Sequence, residues 1–231
     1  MKTKYSGINS PFDYGEVLQT GYVDTKLLLD VYKKYLLENN LLLQETFDYQ
    51  SIQFFDDCVE YKNIKAKQIV FAEGFGLHAN PYFNYLPLDG TKGELFIIKA
   101  PELNLDVIIN TSVFILPLGN DLFKVGATYN WQDKTSNPSE EGKTELLARI
   151  NEILDCEFEI IDHFAGVRPT VRDRKPLVGS HSKFSRLHIL NGLGTRGVML
   201  GPSMATALFE SIEFQKPLDT AVDIKRYEKK R

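Results

Sequence analysis

Cysteine is scarce: Cys58 and Cys156 stand alone in 231 residues, with no C-x-x-C between or around them. That leaves neither a disulfide framework nor a thiol redox motif. No apolar run approaches the ~20 residues a bilayer-spanning helix needs. The opening MKTKYSGINSPF holds no apolar signal core, so a cytoplasmic location is expected. Positive charge is not in excess, since 27 Lys and Arg face 31 Asp and Glu, a net charge of −4. Nucleic acid is therefore not expected as a partner, and the terminal KRYEKKR reads as a solvated tail. His78, His163, His181 and His188 lack metal-ligand spacing and read as structural. Internal repeats and low-complexity linkers are absent.

What is present suits a globular chain. Hydrophobic residues make up 43%, with 15 Phe and 11 Tyr, enough for one large domain or two small ones. YGEVLQTGYV (14–23) reads as extended. Asp24 or Thr25 can cap a helix over 25–39 whose face carries Leu28, Val31, Tyr32, Tyr35 and Leu36. LLLQETF, SIQFF and the hairpin-like DDCVEYKN follow as short strands. KQIVFAEGFG (67–76) holds the continuous apolar run Ile69–Ala72, the mark of a strand buried on both faces of a parallel sheet, ending at Glu73-Gly74. Residues 94–128 give ELFIIKA, VIINT, SVFILPL and DLFKVGATY with the turn GND, an antiparallel meander. Ser136 or Ser139 starts a helix to about Leu154, with Glu140 and Glu141 in its first turn. EFEIIDHFAGVRP and RLHILN are further strands, and VMLGPSMATALFESIE is the last helix. Trp131 and the aromatics of the strands read as core, and Asn110-Thr111-Ser112 spells a glycosylation sequon, of consequence only in a secreted protein.

Two segments carry chemistry. In NGLGTRGVMLGP, Gly192, Gly194 and Gly197 have the spacing G-x-G-x-x-G between a strand and a helix. A dinucleotide fingerprint needs a complete βαβ unit, with an acid about twenty residues on at the end of its second strand. Asp219 stands at roughly that distance, but TAVDI is a poor buried strand, so that reading is rejected. What remains is a helix N-terminus with a partial positive charge and bare backbone that a flat or anionic group can approach. A tight strand-to-helix turn using glycine for φ > 0 is the equal alternative. The second segment is FAGVRPTVRDRKPLVGSH (164–181). If extended, it places Arg168, Thr170, Arg172 and Arg174 on one face and Val167, Pro169 and Val171 on the other. An arginine between Gly166 and Pro169 can fork two N–H donors onto a carboxylate. Surface ion pairing accounts for Arg172, Arg174 and Lys175.

AGVRPTVRDRKPLVG, a strand, then NGLGTRGVMLGP together resemble the C-terminal signature of the D-amino-acid-oxidase-like flavoproteins. That family includes glycine and sarcosine oxidases and the flavin domain of the bacterial enzyme that matures the tRNA wobble uridine. Upstream, GYVDTKLLLDVYKKYL, QIVFAEGFG, GTKGELFII and SVFILPLGNDLFKVGAT resemble the family's segments in the same order, over nearly the whole chain.

The resemblance implies a mixed α+β and α/β fold: an antiparallel substrate-domain sheet plus the remaining strands and C-terminal helix of a truncated, Rossmann-like FAD-binding domain. Residues 1–78 and 160–231 would form the FAD-binding remainder and 79–159 the substrate-binding domain, the chain starting after the family's N-terminal FAD-binding βαβ unit. FAD is the implied cofactor. Arg168 would bind the substrate carboxylate, and Arg196 would be a second anion contact. Phe114 stands where amino-acid-oxidising members often place a tyrosine, which argues against a simple glycine-like substrate. Ala72, Glu73 and Gly74 would lie near the cofactor's nucleotide side. Gly192, Leu193, Gly194, Thr195, Arg196, Gly197, Val198 and Met199 would cover the flavin's pyrimidine end. No residue is implied as acid, base or nucleophile, because the family's chemistry is hydride transfer from a carbon beside nitrogen to the flavin. The expected partner is a small amine or amino acid, with no nucleic acid and no membrane. The expected function is the C-terminal part of an FAD-dependent oxidoreductase, inactive alone. The alternative is a non-catalytic module binding small carboxylates or amino acids.

Overall fold

The computed structural model describes residues 5–11 and 13–228. In chain order the elements are α1 (Thr25–Glu38), β1 (Ile52–Phe54), β2 (Val59–Tyr61), β3 (Ile64–Ala66), β4 (Ile69–Phe71), β5 (Thr91–Lys99), β6 (Ile109–Asn110), β7 (Phe114–Gly119), β8 (Leu122–Gly126), α2 (Glu140–Ile153), β9 (Glu159–Arg168), β10 (Leu177–Ser180), β11 (Leu187–Asn191) and α3 (Gly197–Phe214). They divide into two compact units. One holds the first residues to Gly15, Pro87–Lys175 and Gly192–Thr195; the other holds Glu16–Leu86, Pro176–Asn191 and the chain from Arg196 onward.

The first unit is built on an antiparallel sheet of order β6-β7-β8-β5-β9. The expected meander is present, and its β7–β8 turn places Asn120 and Asp121 at φ 53 and 59, the left-handed pair that matches a two-residue hairpin to strand twist. Alternation along the strands sorts side chains onto two faces. Phe96, Ile98, Ile115, Phe123 and Val125 face α2, where Leu146, Ile150 and Ile153 complete the core. Glu94 shares that face. Its buried carboxylate accepts hydrogen bonds from the Ser139 amide at 3.0 Å and hydroxyl at 2.7 Å, while Ser139 caps α2 through the Gly142 amide. Lys92, 1% exposed, lies 3.3 Å from Glu94 and 2.5 Å from Asp133. Burial alone would lower the Lys92 pKa, but its bonds to Asp133 and Glu94 outweigh that and raise it; the Lys92 bond in turn pulls Asp133 down to about 2.

The antiparallel unit is longer than the sequence implied. Its sheet does not end at 159, because β9 pairs along the whole of β5, from Lys99↔Glu159 to Thr91↔Arg168, and residues 79–86 fall in the other unit.

The second unit contains the sheet β10-β11-β4, with β4 parallel to β11 and β10 antiparallel to it, and a separate three-stranded sheet β1-β2-β3. α3 packs on β10 and β11. His188 of β11 is held between Ser180 Oγ at 2.8 Å on Nδ1 and Gln68 Oε1 at 2.9 Å on Nε2.

Several expectations change here. β4 has its parallel partner but is not buried on both faces: it is the sheet's edge, and Val70 is 46% exposed. YGEVLQTGYV and LLLQETF form no strand, having no backbone partner strand, whereas PLVGSH supplies the unanticipated β10. α1 forms as expected with Asp24 capping it, yet none of its residues is buried, and of its apolar face only Leu36 is half-buried. Trp131 is 44% exposed rather than core. KRYEKKR is no simple tail, for Arg226 donates to Pro176 O at 2.9 Å; positions 229–231, like 1–4 and 12, lie outside the described residues. Arg172 and Arg174 do not continue the alternation of β9. The strand ends at Arg168, Val171 is buried beside Leu88, and Arg174 takes φ 56 in a turn. No described helix is long and apolar enough to cross a membrane.

Two consequences are measurable. Glu94→Ala leaves Lys92 with one counter-ion and Ser139 without its acceptor, so it should cost about 3–5 kcal/mol in urea unfolding. Glu60→Ala, which removes an exposed pair with Lys65, should cost under about 1 kcal/mol. Burial lowers the His188 pKa from 6.5 to about 4. As pH falls below 6.5, the unfolded chain takes up this proton before the folded chain does. Stability should therefore decline between pH 6.5 and about 4, and His188→Gln should flatten that slope.

Candidate functional site

The face of the antiparallel sheet opposite α2 carries the unit's chemistry. The registers Thr91↔Arg168, Gly93↔Gly166 and Leu95↔Phe164 put six residues on it in three rows, and the partner of Leu95 on β8, Gly126, continues the last row to Phe114 on β7.

 Two residues singled out from the sequence, Arg168 and Phe114, thus share one face of one sheet. Alternation explains why: on β5, Lys92 and Glu94 point to the helix-covered side, so Gly93 and Leu95 point to this one.

Arg168 leans back along the strand onto Gly93. A methyl group at Gly93 would fall inside the guanidinium, close to Cζ, Nη1 and Nη2 together, so Arg168 can rest here only over a glycine. Nη1 donates to Thr128 O at 3.3 Å, and Cζ lies 4.6 Å from the centre of the Tyr129 ring. Tyr129 is held in place by the residues around it. The Lys92↔Asn130 bridge pairs its neighbour with β5, and Asp133 anchors the following turn to Lys92. Burial lowers the Arg168 pKa, and no described carboxylate lies within ion-pairing distance of it. A partly desolvated guanidinium with its donors largely unspent is a receptor for an anion, and its planar fork suits a carboxylate. Arg172 differs: its side chain is 82% exposed and lies 3.6 Å from Asp89.

The glycine segment reaches the same unit. The Gly194 amide donates to Pro169 O at 3.1 Å, which joins the loop after β11 to the residue following Arg168. Gly192 and Gly194 take φ 69 and 57, so both glycines serve a turn, and a side chain at Gly194 would meet open space.

In the second unit, β4 and β11 end side by side, with Asn191 Nδ2 donating to Gly74 O at 2.9 Å. Gly74 has φ 58 and bare space around it, and Ala72 is exposed. Glu73 is spoken for: Tyr49 OH donates to it at 2.5 Å and Asn80 Nδ2 at 2.8 Å. Burial, and then the Glu73 bond, push the Tyr49 phenol up to about 12. Arg196 occupies the N-cap of α3 without a side-chain cap bond, and Val198 and Met199 in the first turn are 51% and 68% exposed. An 18-residue helix that starts at Gly197 with no side-chain cap offers its dipole to an anionic or electron-rich group. Carboxyl ends of parallel strands are where open α/β sheets take their ligands. Bare backbone at Gly74 and the uncapped start of α3 are compatible with a flat, anionic group such as FAD. Sequence reasoning missed Gly93, Leu95, Tyr129 and Phe164; the signal was the alternation in TKGEL, legible once its strand partner was known.

Gly93→Ala should displace the Arg168 guanidinium and weaken binding of a small carboxylate at least about tenfold, with the circular dichroism unchanged. Arg172→Ala should leave that affinity within about twofold. Calorimetric titration with glycine reads both.

The family described as FAD dependent oxidoreductase (DAO) matches residues 12–211. Glycine oxidase of Bacillus subtilis is 23% identical over 219 residues, which cover 87% of this chain and 59% of that protein. The tRNA 5-methylaminomethyl-2-thiouridine biosynthesis bifunctional protein MnmC of Campylobacter jejuni is 26% identical over 141 residues, 58% of this chain and 23% of that one. The crystal structure of glycine oxidase from Geobacillus kaustophilus superposes with a TM-score of 0.62 at 24% identity, covering 79% of this chain and 50% of that one. The chain therefore spans 59% of the Bacillus subtilis protein and 50% of the Geobacillus kaustophilus chain, and it has the fold of the latter. With the arginine-bearing sheet face, the parallel strand ends and the match over residues 12–211 taken together, the chain belongs to the FAD dependent oxidoreductase (DAO) family.

Proposed function

We propose that this chain forms the substrate-binding part, and the closing elements of the cofactor-binding part, of an oxidoreductase acting on an amine or amino acid that bears a carboxylate. The observation that carries the reading is the Arg168 guanidinium, partly buried, seated on Gly93 and lacking a described acidic partner. Family membership supports the redox class. The two sequence relatives support the substrate class, one being a glycine oxidase and the other a protein of tRNA 5-methylaminomethyl-2-thiouridine biosynthesis.

In this reading Arg168 fixes the substrate through its carboxylate, so that the carbon beside nitrogen is held in one orientation. Tyr129 and Thr128 O hold the guanidinium in place. When bound, FAD supplies an acceptor for the hydride leaving that carbon. Ala72, Glu73 and Gly74 would hold its nucleotide side, Glu73 through backbone because its carboxylate is engaged. Gly192, Leu193, Gly194, Thr195, Arg196, Gly197, Val198 and Met199 would lie along its pyrimidine end, where the α3 N-terminus stabilises negative charge. Arg196 would be a second contact for substrate anion. The protein's part is orientation and electrostatics, which calls for no triad.

The described residues contain one parallel strand pair, β4 and β11, and no complete βαβ unit, so these 231 residues should hold FAD weakly and turn over poorly by themselves. The alternative, a binding module without redox chemistry, rests on the same Arg168. Purification should yield chain with little flavin absorbance; one FAD retained per chain would overturn the weak-cofactor reading. Arg168→Ala should abolish saturable glycine binding, and unchanged binding would overturn the carboxylate reading.

A further inference from the structure

Resting on that reading of Arg168, we propose that the site takes an amino acid carrying a flat apolar substituent, on its nitrogen or its α-carbon, in preference to glycine itself. The surface beside the guanidinium is a bare strip. Gly93 is covered by Arg168, but its cross-strand partner Gly166 has nothing within 4 Å of where a side chain would project. The next row on the same face is apolar from end to end: Phe164 on β9, Leu95 on β5, Gly126 on β8 and Phe114 on β7. Phe164 is 48% exposed, and Leu95 and Phe114 are half-buried.

The dimensions suit this. Arg168 leans onto the glycine row, and two residues along a strand advance about 6.8 Å, so the guanidinium edge and the apolar row stand about one side chain apart. An amino acid anchored by its carboxylate at Arg168 would lay a phenyl-sized group across Gly166 against Phe164 and Leu95. Glycine would leave that apolar surface facing water, and a polar substituent would lose its own water there without a partner. No hydroxyl stands at Phe114 to bind a polar group in its place. The aromatic edge of Phe164 and the flat glycine backbone both favour a planar group over a branched one.

Calorimetric titration of the full chain with N-benzylglycine, glycine and benzylamine tests this. N-benzylglycine should bind at least about tenfold tighter than glycine, and benzylamine should not bind saturably, because it lacks the carboxylate. Phe164→Ser, half-exposed and checked for folding by circular dichroism, should bring the ratio of the two amino-acid affinities toward one. Gly166→Val should do the same from the opposite direction, by filling the strip. Equal affinities in the unaltered chain, both lost in Arg168→Ala, would overturn the apolar preference and leave the carboxylate reading standing. Affinities indifferent to Arg168→Ala would overturn both. Failure of N-benzylglycine to bind saturably would also overturn the preference.

Discussion

The antiparallel unit depends on one buried carboxylate. Glu94 sits near the middle of β5, between β8 and β9, and four partners converge on it: the amide and hydroxyl of Ser139, the Lys92 ammonium, and the His163 ring, whose Nε2 lies 2.8 Å away though off the line of a good hydrogen bond. Burying a carboxylate is costly unless its oxygens are satisfied. Here the helix that covers the core supplies the satisfaction, because its capping residue is the donor. Gly142 must lack a side chain for the carboxylate to come so close to the helix start. Sheet, helix and cap are thereby locked into one register.

The same strand makes the functional face by the same geometry. With Lys92 and Glu94 pointing to α2, the intervening Gly93 and Leu95 have to point away from it. Lys92 also holds Asp133 and pairs with Asn130 through the backbone, which sets Tyr129 against the guanidinium of Arg168. The charge network on one side of β5 thus helps position the Arg168 guanidinium on the other. An arginine with no acid beside it survives partial burial because its face rests on bare backbone and an aromatic ring, and these leave its N–H edge available.

The second unit obeys a different logic. Its parallel pair is short, β4 is an edge strand, and α1 is amphipathic with no buried residue. Parallel strands are ordinarily covered on both faces, and an amphipathic stripe ordinarily meets a partner. The apolar character of Val70 and of the Leu28–Tyr35 face is therefore a local property of the sequence that the unit's own packing does not use.

Local chemistry was legible from the residues. Asp24 and Ser139 as caps, the meander with its Asn120-Asp121 turn, the terminal helix and the unsuitability of G-x-G-x-x-G as a dinucleotide turn all follow from spacing and propensity within a few residues. Arg168 and Phe114 were identifiable too, as residue types in a pattern. The two-sided burial of β4, the strand at 14–23, the core placement of Trp131 and the alternation beyond Arg168 were misread because each depends on a neighbour distant in sequence. What the sequence by itself determined was which segments could be helix, strand or turn, and that an arginine stood free of fixed local partners. Only the tertiary structure decided that Gly93 lies beneath Arg168, that Tyr129 covers it, and that Phe114 and Phe164 share its face. The physical reason is that the pairing of β5 with β9 acts across 60 to 77 residues of chain, from Lys99↔Glu159 to Thr91↔Arg168, and a shift of one residue in register would turn every one of those side chains to the other side.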